Sequence, residues 1–266
     1  YSTESFGWIA RVAEGGGLAY AKGDASNAYR SAETAEDYGV VKCHRHLVLL
    51  QPDIVIVYDD LEAKEPVRWS WLIHSLEEMK VNQQNHRFEV SIDAIKATGR
   101  LWASQPFDMI LTDTFAVPAV NWRGSRDAEG QLKRYDDDQW HLNVSNVGNS
   151  QAMRFLCIIR IMPDGQFVMH DVNEVDGKIE LKVGDWEIEA NIDHRQQASL
   201  ILRNQTTETY FSSHGARAEH SNMFKKASYV GSTQIEFIQN GKKRFLEVID
   251  EVPYDMLSRY QHYQIQ

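Results

Sequence analysis

The sequence predicts an all-β protein, an antiparallel β-sandwich of two or more packed sheets with little helix. Three observations predict it. Apolar runs of strand length, rich in β-branched and aromatic residues, recur along the 266-residue chain. Turn residues separate them, including Asp176-Gly177 and Asn240-Gly241, the dipeptides that close two-residue hairpins. No stretch carries a convincing 3.6-residue apolar period, and the apolar positions of 95–109 fit none.

The elements follow in order. LVLL (47–50) runs into Gln51-Pro52-Asp53 and returns through IVIVY (54–58), which reads as a hairpin. WSWLI (69–73) and FEVSI (88–92) are the next strands, and FLCIIRIM (155–162) is a long apolar run stopped by Pro163-Asp164-Gly165. IELKV (179–183) and WEIEANI (186–192) flank Gly184-Asp185, ASLILR (198–203) follows, and IEFI (235–238) and RFLEVI (244–249) flank Asn240-Gly241. Residues 1–266 read as a single β-sandwich region. A weak composition shift near 163–165 marks where two sheets or two subdomains would divide. There is no fixed-period repeat and no low-complexity linker.

Composition narrows function. Hydrophobic residues make up 42% of the chain, enough for a core. The formal charge of -10 argues against nucleic acid as a partner, because phosphates demand a basic face. No run approaches the roughly 20 apolar residues of a membrane helix. The opening YSTESFGWIARV has neither a starting methionine nor a signal peptide, which suggests a mature piece or an excised fragment. Cys43 and Cys157 are the only cysteines, too few for a disulfide framework or a zinc knuckle.

Chemistry concentrates in Val41–Ser75. His44 and His46 are two residues apart, so both leave one face of a strand. With two or four loop residues in the hairpin, His46 lies opposite Asp59. With three, His46 faces Tyr58 and His44 faces Asp60. We expect His46 within reach of Asp59 or Asp60. His44, His46 and Asp59 would make a zinc site with one position open for water, with His74 a further candidate. The competing reading is an ordinary cross-strand pair. Asp59-Asp60 followed by Leu-Glu-Ala reads as a strand end entering a turn. Trp69 and Trp71 share a face and either stack on sugar rings or fill the core. Trp122, Arg123 and Arg126, with Lys133 and Arg134 close behind, form the best basic patch and are candidates for an anionic ligand. Trp140 is a further aromatic candidate for sugar. Asp136-Asp137-Asp138 lacks the ligand spacing of a calcium loop and reads as a solvated turn.

The order GLAYAKGDASNAYR (17–30), VVKCHRHLVLLQPDIVIVYDDLEAKEP (40–66) and WSWLIHS (69–75) resembles the C-terminal β-sandwich region of the heparinase II/III-like polysaccharide lyases, which include heparin, heparan and oligoalginate lyases. The matching elements are Gly23-Asp24-Ala25 with Ala28-Tyr29, Arg45, Pro52-Asp53, Val57 to Ala63, and Leu72 to His74; Thr112-Asp113 and Asn121-Trp122 also have the look of the group. The resemblance implies an α/α toroid upstream, followed by packed antiparallel sheets. It implies cleavage of an acidic, uronate-containing polysaccharide by β-elimination, with a base at C5 and a tyrosine as acid. It also implies a periplasmic or secreted enzyme. Zinc or calcium would belong to the full-length enzyme, and no cofactor is expected in this chain. The family's toroid, its N-H-x-H and its His-Asn motifs are not in this sequence, so no catalytic residue is carried over. The resemblance therefore implies a mainly structural role that packs on the toroid and lines its cleft. Two rival readings stand beside it: a stand-alone carbohydrate-binding module, and a small metalloenzyme built on His44, His46 and Asp59.

Overall fold

Strand side chains alternate between two faces, so the number of layers packed on a sheet decides how many residues of each strand are apolar. A computed structural model of the chain describes residues 6–29, 37–114, 126–131, 139–163, 169–214, 218–219, 228–229 and 232–249. The first half carries β1 (Trp8–Gly15), β2 (Leu18–Asp24), β3 (Val40–Leu50), β4 (Ile54–Val67), β5 (Ser70–Ser75) and β6 (Lys80–Asn82). It continues with β7 (Arg87–Ile92), β8 (Ile95–Ala103), β9 (Phe107–Thr112), β10 (Trp140–Asn146) and β11 (Ser150–Pro163). The second half carries β12 (His170–Val175), β13 (Lys178–Val183), β14 (Trp186–Asn191), β15 (Ser199–Asn204) and β16 (Thr209–His214). Last come β17 (Ala218–Glu219), β18 (Ser228–Tyr229), β19 (Ser232–Gln239) and β20 (Lys242–Ile249). The only helix among the described residues is a single 3-10 turn, Ser26–Ala28.

These strands form three antiparallel layers. An eight-stranded sheet runs β1-β2-β3-β4-β11-β8-β7-β6, a seven-stranded sheet runs β12-β13-β14-β15-β16-β19-β20, and a three-stranded sheet runs β5-β10-β9. β17 and β18 pair separately. The eight-stranded sheet lies in the middle. Tyr20, Val48, Leu50, Ile56, Tyr58, Leu156 and Ile158 pack from it against Ile179, Leu181, Ile188, Leu200, Phe211 and Ile235 of the seven-stranded sheet. From its other face Val57, Leu61, Phe88, Leu101, Met153, Phe155 and Cys157 pack against Trp71, Met109, Leu142 and Val144 of the three-stranded sheet. Burying a large apolar side chain in such a core contributes about 1.5–3 kcal/mol.

The middle position explains the two continuous apolar runs. β4 and β11 pair with each other at the centre of the sheet, and Val57, Tyr58, Leu156 and Cys157 are all buried although they alternate between faces. β13 is covered on one face only and alternates strictly, with Ile179, Leu181 and Val183 inside. The hairpin signals are borne out in backbone geometry. Asp176-Gly177 and Asn240-Gly241 have φ of 51° and 74°, and 53° and 69°, as a type I′ turn requires. The chain leaves the central sheet at Pro163, and all later strands among the described residues belong to other sheets. Residues 164 and 165 lie outside the described ones.

One boundary is corrected. Asp59-Asp60 does not end its strand; β4 continues to Val67. Both carboxylates are buried mid-strand because each meets a cation there, as described next. The layer coverage is also uneven. β5, β9 and β10 cover the outer face of the central sheet around β4, β11, β8 and β7, while Ile9, Val12, Leu47 and Leu49 on β1 and β3 stay exposed.

Candidate functional site

The register of the β3–β4 hairpin decides which polar residues meet. Leu50 pairs with Ile54 across three loop residues, which puts His44 opposite Asp60, Arg45 opposite Asp59 and His46 opposite Tyr58. His44, His46, Tyr58 and Asp60 therefore face the seven-stranded sheet, and Arg45 and Asp59 face the other way. This corrects the expectation for His46. It faces a tyrosine, and its ring Nδ1 lies 2.9 Å from the Tyr20 hydroxyl and 3.5 Å from Ser213 Oγ. The proposed metal set of His44, His46 and Asp59 does not converge, because a one-residue offset in a strand reverses the face. His74 lies in another layer, paired with His141. Among the described residues no group of three His, Cys, Asp or Glu side chains is placed to hold a metal ion.

The inward-facing groups build a buried polar network between the two large sheets. His44 Nε2 lies 3.1 Å from Asp24 Oδ2. Asp60 accepts from Arg154 Nε at 2.9 Å and pairs with Lys42 Nζ at 3.0 Å. Arg154 also donates to the carbonyls of Asn191, Asp193 and Gln196, and Tyr58 donates to the Asn191 carbonyl at 2.6 Å. One strand further on, Arg11 donates to Ser213 Oγ and Thr233 Oγ1. Every one of these bonds to the seven-stranded sheet crosses the layer interface, so the network fixes how the sheets dock.

Electrostatics follow from burial and neighbours. Burial pushes the Asp60 carboxyl up, but Lys42 and Arg154 outweigh it and hold it well below the usual carboxylate range. Asp24 is likewise raised by burial and lowered further by His44 and Ser26. Burial and the Lys22 charge push His44 and His46 down. His44 is driven toward neutrality, because its burial and the Lys22 charge outweigh the Asp24 carboxylate. Its full burial beside Lys22 decides for a neutral ring that donates Nε2–H to the Asp24 carboxylate.

The opposite face holds a cleft of about 480 Å³, within the range of small-ligand sites. Gly23, Asp24, Ala25, Tyr29, Cys43, Arg45, Asp59, Leu61 and Trp69 line it, with Gly7, Trp8, Ile9 and Ser70. Arg45 grips Asp59 with a fork, Nε to Oδ1 and Nη2 to Oδ2, both at 2.7 Å. Burial pushes the Asp59 carboxyl up and the Arg45 fork opposes the rise. The Arg45 side chain keeps 53% of its surface in solvent, leaving its remaining N–H donors available at the mouth. Cys43 Sγ lies 3.9 Å from the Tyr29 hydroxyl. Burial pushes the Cys43 thiol up to about 11, and Cys43 together with burial pushes the Tyr29 hydroxyl up to about 12. Both groups are neutral at pH 7. The cleft therefore offers aromatic surface, hydroxyl and guanidinium donors and a neutralised ion pair, a lining suited to binding rather than to proton abstraction.

The sequence candidates separate on this geometry. Trp71 is buried in the core under the three-stranded sheet and cannot stack on a ligand. Trp69 is 7% exposed, lines the cleft, and commits its indole N–H to the Ser150 carbonyl at 2.9 Å. Arg126 is exposed and donates to the Gly130 carbonyl in its own turn. Trp122 and Arg123 lie outside the described residues, as do Lys133, Arg134 and Asp136–Asp138. Sequence reasoning missed Arg11, Lys22 and Arg154, all buried. Their one signal was a lone cation inside a strand-like run, as in MRFLCII (153–159).

The fold and site thus define a three-layer antiparallel β-sandwich with a charged, aromatic-walled cleft on its central sheet. No protein-family model matches the sequence, and no curated protein matches it. Among solved structures the chain is similar to a heparinase III gene product, with 12% identity and a TM-score of 0.41 over 91% of this chain and 27% of that one. It is similar also to heparan sulfate lyase HepC from Pedobacter heparinus, with 9% identity and a TM-score of 0.43 over 93% of this chain and 29% of that one. The chain spans less than a third of the length of these structures.

Proposed function

We propose that this chain is the β-sandwich portion of a polysaccharide lyase that cleaves uronate-containing glycans by β-elimination. Its role is mainly structural: it packs on an upstream α/α toroid and forms one wall of the substrate cleft. One observation carries the reading. Gly23, Asp24, Ala25, Tyr29, Arg45, Asp59 and Leu61, scattered over nearly forty residues of the motif that resembles these lyases, come together around a single cleft. The glycan is heparan-like or alginate-like, and the enzyme is periplasmic or secreted. No described helix is long and apolar enough to cross a membrane.

The assay uses the ultraviolet absorbance of the unsaturated uronate product. The chain alone, given heparan sulfate, heparin or alginate, should produce none. Elimination needs a base, an acid and a carboxylate neutraliser placed together, and losing one such group typically costs about 10²-fold or more. The same chain joined to the polypeptide encoded ahead of Tyr1 should produce it steadily. Inactivity of the joined protein on all three glycans refutes the proposal. So does activity of the chain alone that disappears when His44 and His46 are changed to alanine. The metalloenzyme alternative has lost its geometric basis, because Asp59 points away from both histidines.

A further inference from the structure

We propose that the solvent-facing end of the Arg45 guanidinium and the Tyr29 hydroxyl form a carboxylate-recognition subsite in the cleft, where they donate to the two oxygens of a sugar carboxylate. The choice of a sugar as carrier rests on the lyase reading; the carboxylate chemistry rests on the geometry of the cleft.

The fork to Asp59 uses one edge of the guanidinium. Nε and one Nη2 hydrogen are spent on the two Asp59 oxygens, both at 2.7 Å. A guanidinium carries its N–H groups in fixed directions, so the Nη1 pair and the outer Nη2 hydrogen remain, and they make a second fork at its end. Arg45 makes no other hydrogen bond among the described residues. Its side chain keeps 53% of its surface in solvent while that of Asp59 keeps 4%, so the spent edge is buried and the remaining edge is open at the cleft mouth. Swinging away would strand a buried carboxylate, so Asp59 holds the guanidinium plane in place for a ligand.

The rest of the lining defines what that fork receives. The Tyr29 hydroxyl accepts from the Cys43 thiol at 3.9 Å, and its own O–H has no acceptor among the described residues. Cys43 and burial raise this hydroxyl and the Arg45 charge opposes them, so the phenol keeps its proton and lies near the guanidinium. Both Asp59 oxygens are already taken by Arg45. The mouth therefore presents donors, and a carboxylate satisfies them because its two oxygens match a fork. Beside the donors, Ile9, Leu61 and Trp69 supply apolar wall. Trp69 spends its indole N–H on the Ser150 carbonyl, so what it offers the cleft is ring surface, which suits the flat C–H face of a sugar. Asp59 cancels the Arg45 charge beyond contact range. The cleft therefore does not gather polyanions by a long-range field, and recognition comes from short hydrogen bonds.

Isothermal titration calorimetry of the full chain tests this with two acidic probes, an alginate tetrasaccharide and an unsulfated heparan tetrasaccharide, each beside its carboxyl-reduced form. At least one acidic probe should bind saturably and about tenfold or more tighter than its reduced form, the gain expected from charge-assisted hydrogen bonds. The preference should persist at physiological salt, because it does not come from a long-range field. Tyr29→Phe removes one oxygen from a half-exposed side chain and should lower the affinity for the acidic probe about tenfold, with little change for the reduced form. Arg45→Gln with Asp59→Asn replaces the ion pair by an amide pair and should bring the two affinities together, with thermal melting to check that it folds. The proposal is overturned if neither acidic probe saturates, if the reduced forms bind as tightly, or if Tyr29→Phe leaves the preference unchanged. The lyase reading fails separately, in the ultraviolet assay of the joined protein. An active joined protein with no carboxylate preference in this chain removes the subsite alone, and carboxylate binding here beside an inactive joined protein removes the lyase reading alone.

Discussion

Replacing Arg154 by methionine should destabilise the protein more than any surface change, and the size of the loss follows from its partners. Arg154 is 2% exposed and donates to Asp60 at 2.9 Å, Asn191 O at 3.3 Å, Asp193 O at 2.6 Å and Gln196 O at 2.6 Å. Three of those acceptors belong to the end of β14 and the segment after it, so one side chain ties the seven-stranded sheet to the central one. Methionine keeps much of the aliphatic volume and removes all four bonds. Asp60 is left buried with Lys42 as its one remaining salt-bridge partner. Breaking a buried ion pair from one side costs about 3–5 kcal/mol. In a protein of this size each kcal/mol lowers Tm by about 2–4 °C, so Tm should fall by about 6–20 °C. Urea unfolding followed by circular dichroism measures the loss. The companion double change, Arg154→Met with Asp60→Asn, should recover part of it, because no carboxylate is then left with its charge underpaired. A loss below about 1 kcal/mol for Arg154→Met, or a double variant that loses the simple sum of the two single changes, would refute the reasoning.

Acidification should act in two stages. His44 and His46 are held neutral with depressed folded-state values, so the native state binds fewer protons than the unfolded chain below about pH 6.5. Their contribution is complete above that pH and is lost as pH falls, by up to about 1.4 kcal/mol per pH unit for each ring; Tm between pH 7.5 and 5 should show a shallower slope in His46→Gln. Asp24 and Asp60 are depressed carboxylates, so their contribution is present above about pH 3.9 and disappears below it, as a steeper acid limb in the same melting series. Gly99→Ala should cost about 1–3 kcal/mol by denaturant titration, because the added Cβ would clash with the edge of the buried Phe88 ring, whose residue pairs across the strand from it. The exposed apolar strip of Ile9, Val12, Leu47 and Leu49 should drive self-association, so Leu47→Thr with Leu49→Thr should reduce concentration-dependent light scattering while leaving stability within about 0.5 kcal/mol. Unchanged scattering would show that the bare face of β1 and β3 is not what associates.

Much of the fold was written in local chemistry. Alternation in IELKV and the Asn-Gly and Asp-Gly turns specify strands and hairpins within a few residues of themselves, so a one-dimensional reading finds them. The unbroken run FLCIIRIM was legible as an apolar strand, but that it is covered on both faces follows only from its place at the centre of the middle sheet. The motif that resembles the lyases was equally legible, because its three segments follow one another closely between Gly17 and Ser75. The three-layer stacking and the candidate sites were not. Arg45 reaches Asp59, and His44 faces Asp60, only because the hairpin loop has three residues; a loop one residue longer would have put Asp59 opposite His46 and Asp60 opposite Arg45. Arg154 meets Asp60 from 94 positions away, and Arg11 meets Thr233 from 222 away. Composition and periodicity decide whether a side chain belongs inside. Which charge neutralises it there depends on strand order and layer packing, and these are set by the burial of the whole chain at once.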